Sequence, residues 1–134
     1  MEGFGDGAWE LNLHSHHISF SSEYKAMLGY GSEDFPHEYE NWLGHVHPDD
    51  LNQVLAKSRA YIQTGGKMAT AEHRMRCQDG SYKWVLSRAA ITAWDAAGQP
   101  LMLSGLLSDI SAQKDAEEAR DTWPSCSSEG VKLL

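Results

Sequence analysis

Alternating apolar and polar residues predict two short strands at the start of the chain. The first covers residues 8–13 and is half-buried, and residues 18–20 are predicted to return beside it after a short turn. Ser21 or Ser22 then suits the N-cap of a small helix, for which Gly29 is the predicted C-terminal cap.

Helical patterns fill the middle of the chain. One-turn helices are predicted around residues 32–35 and 38–43, where Gly and Pro punctuate the sequence. A longer helix is predicted to begin at Pro48, because proline suits the first helical position and two aspartates in the first turn favour the helix dipole. Gly65 and Gly66 are predicted to end it.

After this helix the apolar period changes to two. Residues 71–77 alternate, and the Asp-Gly pair at 79–80 favours a tight hairpin into a strand over residues 82–94. A turn over residues 95–100 leads to the last strand, residues 101–110. Five strands interrupted by helices predict an α+β fold, an antiparallel sheet with helices packed on one face.

The segment of residues 111–120 is predicted to be the last helix. Its alanines and the tryptophan beyond it are spaced four, three and four positions apart, as in a coiled-coil seam. The seam consists of Ala112, Ala116, Ala119 and Trp123. Pro124 is predicted to end the helix, and residues 125–130 to form a flexible tail.

Length and composition indicate one domain. The chain has 134 residues, 41% of them hydrophobic, which is enough for a core without disulfides. We assign residues 1–6 to an N-terminal flank, 7–118 to the domain and 119–134 to a helix end and tail. Two cysteines without CxxC or zinc-ligand spacing favour a reducing cytoplasm, and no apolar stretch approaches the roughly 20 residues of a membrane span.

The negative charge is concentrated in the first part of the chain. The net charge is −8, and the first fifty residues hold ten Asp or Glu against a single Lys. Such a field repels phosphate backbones, which argues against a nucleic-acid partner. It also disfavours anionic ligands near that half.

Several motifs in a fixed order resemble those of PAS sensory domains. They are GAWE at 7–10, LGY at 28–30, VHPDD at 46–50, EHRMR at 72–76, DGSYKWV at 79–85 and DIS at 109–111, followed by Lys114 and Glu117. The resemblance covers about residues 7–118 and is closest to the subtype with VHPDD, DGSYRWV and a terminal DIT motif. Here Ser111 stands where that subtype has Thr, a mild change because either hydroxyl can cap a helix.

This resemblance implies a five-stranded antiparallel sheet, helices across one face and a pocket between them. It also implies an attached effector: a histidine kinase, a diguanylate cyclase with a GGDEF domain or a cyclic-di-GMP phosphodiesterase. The 134 residues contain no such effector. We therefore expect either a piece of a longer protein or a parent gene that ends early, and in both cases a regulatory module in bacterial signal transduction without catalytic residues.

Histidine-rich segments are the candidates for metal or cofactor binding. The pair His45 and His47 precedes two aspartates, but these acids also suit a helix start, so we predict no metal there. The turn histidines, His14, His16 and His17, are expected to bind metal only adventitiously. No GxSxG, P-loop or paired-carboxylate arrangement predicts an enzyme.

The resemblance to PAS domains requires two cofactors to be considered, flavin and haem. A flavin adduct of the light-sensing LOV type needs a cysteine that residues 35–47 lack, which excludes it. Haem needs only an axial histidine, for which His45, His47 and His73 are formal candidates, but we do not predict it.

A ligand pocket is predicted under the helices. The strand alternation turns His73 inward with Met75, where it is either a core histidine with a hydrogen-bond partner or a ligand-binding group. Small residues on the next strand leave room for a cavity, although helix side chains could also fill it. The candidate pocket residues are Tyr24, Trp42, His73, Met75, Ser87, Ala89, Leu103 and Leu107.

The opposite sheet face is predicted to be an interface. Trp84 and Leu86 are large apolar groups that a bare sheet would expose, which favours a homodimer. Asp109, Ile110 and Ser111 are predicted to form the signal junction before the last helix. The sequence thus predicts a sensor of a small ligand or partner, with a ligand-free dimerisation or interaction module as the alternative.

Overall fold

Five antiparallel strands form one sheet in the spatial order β2-β1-β5-β4-β3. The computed structural model describes residues 6–31 and 33–122, with side chains through residue 119. In chain order the elements are β1 (Gly7–Asn12), β2 (Ile18–Phe20), α1 (Ser22–Met27), α2 (Tyr39–His45), α3 (Pro48–Thr64), β3 (Ala69–Arg76), β4 (Tyr82–Trp94), β5 (Pro100–Asp109) and α4 (Ser111–Thr122). The predicted α+β fold is confirmed.

The core lies between one face of the sheet and helices α1, α2 and α3. Inward positions on the strands alternate with outward ones, so that Met75, Val85 and Leu107 are almost completely buried. Tyr24 of α1 and Val54 of α3 meet them from the helical side. The candidate pocket therefore lies in this layer, between the inner face of the sheet and the helices that cover it.

The predicted helix signals act at the expected positions. The Ser21 hydroxyl accepts a hydrogen bond from the Tyr24 N–H at 3.2 Å and another from the Ala8 N–H at 2.9 Å, which joins the α1 N-terminus to β1. Pro48 begins α3, and His47 is its N-cap, with Nδ1 accepting from the Asp49 N–H at 3.0 Å. At the other end, Gly65 adopts a φ of 80°, a conformation that suits glycine.

Two predicted one-turn helices are wrong in detail. Residues 33–35 form a turn in which the Asp34 N–H donates to the Gly31 carbonyl at 3.2 Å, while Ser32 lies outside the described residues. Pro36 disfavours helical geometry at Phe35, whose ring is buried instead. The helix predicted at 38–43 is α2, which begins and ends later.

The last helix begins directly after the sheet and packs on its outer face. Lys114 of α4 lies over the ring of Trp84, 4.7 Å from its centroid. Trp123 of the predicted seam, Pro124 and the predicted tail lie outside the described residues, as do residues 1–5. No helix in the described part of the chain has the length and apolarity needed to cross a membrane.

Candidate functional site

A cavity of about 60 Å³ lies between the inner sheet face and helices α2 and α3. Four of the eight predicted pocket residues line it, namely Trp42, Ser87, Ala89 and Leu103. The space exists because small residues occupy the inward positions of β3 and β4 below α3. The inward-facing small residues Ser87 and Ala89 therefore form part of the sheet side of this cavity.

The other four predicted pocket residues do not line this cavity. Tyr24, His73, Met75 and Leu107 are each at most 1% exposed and belong to the packed core. Tyr24 packs against Phe20, with ring centroids 4.7 Å apart. The inward direction of these side chains was predictable, but the neighbours that enclose them come from distant parts of the chain.

Trp9 is a cavity residue that the sequence interpretation missed. It pairs with Gly105 across β1 and β5, and a Cβ at Gly105 would lie 2.4 Å from the indole ring. The missing side chain therefore lets the Trp9 ring lie across β5 and reach the cavity. A glycine in the middle of a strand, opposite an inward tryptophan, is the signal that could have indicated this contact.

A second cavity, of about 200 Å³, adjoins the first. The two share five lining residues: Leu11, Tyr39, Leu55, Ser58 and Leu103. The second also reaches His16 and Arg59. Rings stack along this boundary, with His16 5.5 Å from Tyr39 and Tyr39 5.7 Å from Trp42 between centroids.

The histidines predicted not to bind metal are engaged elsewhere. The His45 Nδ1–H donates to the Asn41 carbonyl at 2.8 Å, and its Nε2 lies 2.8 Å from the Tyr30 hydroxyl. His14 lies 3.2 Å from an Asp95 carboxylate oxygen. Within residues 6–31 and 33–122, no cluster of three or more metal-ligating side chains occurs.

His73 is buried in the core and away from the cavity. It is 1% exposed, and its Nδ1 has no hydrogen-bond partner among the described residues. Burial lowers the pKa of the imidazole to about 4, so the ring is neutral at neutral pH. The structure thus supports neither a ligand contact of His73 in this cavity nor a fully hydrogen-bonded ring.

The described residues do not fit haem. Among the described residues, the one histidine that lines either cavity is His16, at the outer cavity. Of the predicted axial candidates, His45 uses both ring nitrogens and His73 is enclosed by the core. An inner cavity of about 60 Å³ is also far smaller than a porphyrin ring.

Asp50 lies in the first turn of α3, as predicted, and has a second role there. Its carboxylate accepts hydrogen bonds from Arg74 and is only 7% exposed. The hydrogen bonds from the Arg74 side chain hold the pKa of Asp50 below its ordinary value. This pair fixes the first turn of α3 to the edge strand β3, a contact between residues 24 positions apart.

The predicted signal junction connects β5, β4 and α4. One carboxylate oxygen of Asp109 accepts from the Ser111 N–H at 2.9 Å, the other lies 3.2 Å from the Lys83 ammonium, and the Ile110 N–H donates to the Trp84 carbonyl at 3.0 Å. Burial raises the pKa of Asp109, but these bonds outweigh it and the pKa lies below its ordinary value. The start of α4 is therefore held to the sheet by three consecutive residues.

The predicted dimer face is partly covered by the chain itself. Trp84 lies between Lys114 of α4, 4.7 Å from the ring centroid, and Arg74 of β3, 5.1 Å away. Lys114 also forms a 2.7 Å ion pair with Glu72. Leu86 is half-buried, whereas Leu106 on the same face is 43% exposed, which places the open apolar surface nearer β5.

The sequence pattern of the PAS fold family matches residues 17–107, so the chain belongs to this family. It is 31% identical over 122 residues to the sensor protein FixL of Bradyrhizobium diazoefficiens, which is 91% of this chain and 24% of FixL. The chain thus spans about a quarter of that relative's length.

Two solved structures share the fold over most of their length. The sensory box histidine kinase/response regulator from Burkholderia thailandensis superposes with a TM-score of 0.79 and 28% identity, over 98% of this chain and 94% of that one. The N-terminal domain of a diguanylate cyclase with a PAS/PAC sensor from Marinobacter aquaeolei gives a TM-score of 0.71 and 23% identity, over 81% and 98%. PAS domains are regulatory. The chain is similar in sequence to those of sensor kinases, and it shares the fold of the one from the diguanylate cyclase.

Proposed function

We propose that this chain is a cytoplasmic sensory module that binds a small ligand in the inner cavity and controls an attached effector through α4. The observation that carries the proposal is the cavity itself, formed under α3 by small residues of β3 and β4. A packed core has few voids larger than a water molecule. The module has no catalytic role of its own, and its effector is a histidine kinase or a diguanylate cyclase, in agreement with the relatives it resembles.

A continuous set of contacts supports signal transfer from the cavity to α4. Asp50 on α3 binds Arg74, Arg74 lies over Trp84, and Trp84 contacts Lys114 of α4. A ligand that moves α3 relative to β3 would change these contacts and shift α4 between two arrangements. In this proposal residues 7–118 form the sensing unit, and Asp109, Ile110 and Ser111 are the signal junction.

A thermal-shift screen of small metabolites on the whole chain, combined with native mass spectrometry, tests ligand binding. Ala89 lines the cavity and Ala90 points to the opposite face, so Ala89→Leu and Ala90→Leu form a matched pair. Ligand-induced shifts should disappear in Ala89→Leu and persist in Ala90→Leu. No retained molecule and no shift in the unmodified chain would contradict ligand sensing.

Transfer to α4 has a separate test in hydrogen exchange. Bound ligand should change exchange at residues 111–119, and unchanged exchange with saturating ligand would argue against control through α4. The ultraviolet-visible spectrum of the purified chain should show neither flavin nor haem, because an inner cavity of about 60 Å³ is smaller than either ring system.

The second candidate is a ligand-free dimerisation module. The exposure of Leu106 on the outer sheet face favours it, because a large apolar group at a surface often marks an interface. If this face forms a homodimer, Trp84→Ala with Leu86→Ala should shift sedimentation toward the monomer. Leu106→Asp should do the same while keeping the Trp84 ring that contacts α4. A dimer that survives both changes would exclude this interface.

A further inference from the structure

Tyr39 is the one aromatic residue among the five that line both cavities. Its ring stacks between His16 and Trp42. Of the other shared residues, the strand side chains Leu11 and Leu103 are held in the core, and Leu55 and Ser58 are half-buried positions of the long helix α3. Tyr39 begins α2, a short helix of two turns, so its ring is the movable part of the partition between the two cavities.

The two sides of this partition differ chemically. The inner cavity is lined mainly by aromatic, aliphatic and alanine side chains, with Trp9 and Ile18 at its walls. Its polar lining residues are Lys57, Ser58, Thr70 and Ser87. The outer cavity ends at His16 and Arg59. An occupant that filled both spaces would therefore have an apolar body inside and a polar group at Arg59.

The charge near the outer cavity is opposite to that of the whole chain. Although the net charge is −8, residues 51–68 contain Lys57, Arg59 and Lys67 and no acidic residue. Burial raises the pKa of the Tyr39 phenol, Arg59 lowers it, and Glu40 on α2 raises it, so Arg59 and Glu40 are the charged groups that act on this ring. The acidic first half of the chain is expected to repel anions, but the basic residues of α3 oppose this repulsion near the outer cavity. Charges in contact with a ligand act more strongly on it than distant charges, which salt screens.

We propose that the ligand of this cavity is a small amphipathic carboxylate, with its apolar body in the inner cavity beside a displaced Tyr39 ring and its carboxylate on Arg59. The inference rests on the proposed ligand-sensing function and adds the ligand class and its entry route. Arg59 is well suited to the contact because its guanidinium can bind a carboxylate through two parallel hydrogen bonds. Opening the partition also joins the two spaces into one that approaches the size of ordinary ligand pockets.

Three probes of equal length and different charge test the ligand class on the whole chain. Hexanoate, hexanamide and hexylamine are titrated by calorimetry and by tryptophan fluorescence, since Trp9 and Trp42 line the inner cavity. Hexanoate should bind about tenfold or more tightly than the amide, the effect of one charge-assisted contact, and hexylamine should bind least. Equal affinity for acid and amide, or no binding of hexanoate, would overturn the proposal.

Matched variants test the residues. Arg59→Gln should weaken hexanoate binding about tenfold without affecting hexanamide, whereas Lys67→Gln, which removes a cation facing a different groove, should change neither. Tyr39→Ala should raise both association and dissociation rates in stopped-flow fluorescence, and Tyr39→Phe, which keeps the stacking ring, should retain the original rates. An unchanged hexanoate affinity in Arg59→Gln would overturn the carboxylate contact.

The outcomes separate this inference from the proposed function. If compounds from the metabolite screen bind in an Ala89-dependent way but hexanoate does not, the sensing function stands and the carboxylate inference fails. If no compound binds and hexanoate does not bind either, both fail.

Discussion

Asp50 and Arg74 form a bidentate ion pair that also includes the backbone. The Arg74 Nη2 and Nε lie 2.8 and 3.0 Å from the two carboxylate oxygens, and the Arg74 backbone N–H donates at 2.8 Å. The carboxylate thus satisfies an edge N–H of β3 and fixes the N-terminus of α3 at the same time. Because α3 covers the cavity, this pair helps to fix the distance between α3 and the sheet.

Asp50→Ala is expected to lower the free energy of unfolding by about 2–4 kcal/mol. The change leaves the Arg74 N–H without its acceptor and its guanidinium without a counter-ion, and losing one partner of a buried pair is more costly than losing an exposed one. Asp49→Ala, at the exposed neighbouring position, removes only a helix-dipole contact and should cost about 0.3–1 kcal/mol. Urea denaturation at neutral pH measures both, and equal losses would show that the pair adds nothing.

The stabilisation from Asp50 should depend on pH in a defined direction. Its folded pKa is below the unfolded one, so the stabilisation is complete above the unfolded pKa and is lost as the pH falls through the folded pKa. The difference between the unmodified chain and Asp50→Asn should therefore shrink in acid. A difference that stays constant from neutral pH down to about pH 2 would contradict the assignment.

His73 is expected to make the fold sensitive to mild acid. Its pKa is about 4 in the folded chain against an ordinary 6.5, so the unfolded chain binds the proton first as the pH falls. The stability is complete above about pH 6.5 and is lost progressively toward pH 4, by about 2 kcal/mol between pH 7 and pH 5. The nearby Asp50 charge acts in the opposite sense, because it favours the protonated ring.

Denaturation curves at pH 7 and pH 5 check this effect. His73→Leu, which removes the titrating ring at similar volume, should lose much less stability between these pH values than the unmodified chain. If His73→Leu and the unmodified chain lose the same stability between pH 7 and pH 5, the buried ring is not the source of the pH dependence.

Local patterns were sufficient to predict the elements of this fold. The period of two fixed which residues of β3, β4 and β5 face inward, the Asp-Gly pair located a hairpin, and Pro48 and Gly65 marked both ends of α3. These signals depend on neighbours within a few positions. The turn at residues 33–35 was mispredicted because burial of Phe35 among distant rings, including Phe20 and His45, decides its conformation.

The candidate site was predicted only in part for the same reason. Alternation identified Ser87 and Ala89 as floor residues, but it could not distinguish them from His73 and Met75, which face the same way and are enclosed by the core. The partition at Tyr39 depends on a stack between a β-turn and α2, which no local pattern indicates. Residues that act through long-range packing therefore became visible only in three dimensions.

Gly105→Ala is expected to deform the cavity wall. The added Cβ would lie 2.4 Å from the Trp9 ring and 2.7 Å from the Arg88 carbonyl, so the ring must move from its place against β5. Overpacking of this kind costs about 1–3 kcal/mol. Gly44→Ala is the control, because its Cβ would meet nothing within 4 Å, and a helical glycine replaced by alanine should be neutral or gain up to about 1 kcal/mol.

Thermal unfolding and tryptophan fluorescence distinguish these two glycine variants. Gly105→Ala should lower the Tm and change the emission of the Trp9 environment, while Gly44→Ala should leave the emission unchanged. A Gly105→Ala variant with the original Tm and emission would mean that the indole ring does not rest on this glycine.

Lys114 is expected to hold α4 against the outer face of the sheet. It lies over the Trp84 ring and 2.7 Å from a Glu72 carboxylate oxygen, so Lys114→Gln removes an ion pair and a cation–π contact together. Amide exchange at residues 111–119 should then become faster, while the exchange of β3 and β4 stays the same.

Charge reversal gives a stricter test of this attachment. Glu72→Lys alone should speed exchange in α4, and adding Lys114→Glu should restore part of the protection because the ion pair re-forms without the cation–π contact. Asp115→Asn changes a charge at the next position of α4 and should leave exchange near that of the unmodified chain. Because the Glu72 carboxylate is exposed, added salt should loosen α4 in the unmodified chain more than in Lys114→Gln. Identical exchange in all four variants would show that α4 is held by its junction at Asp109 alone.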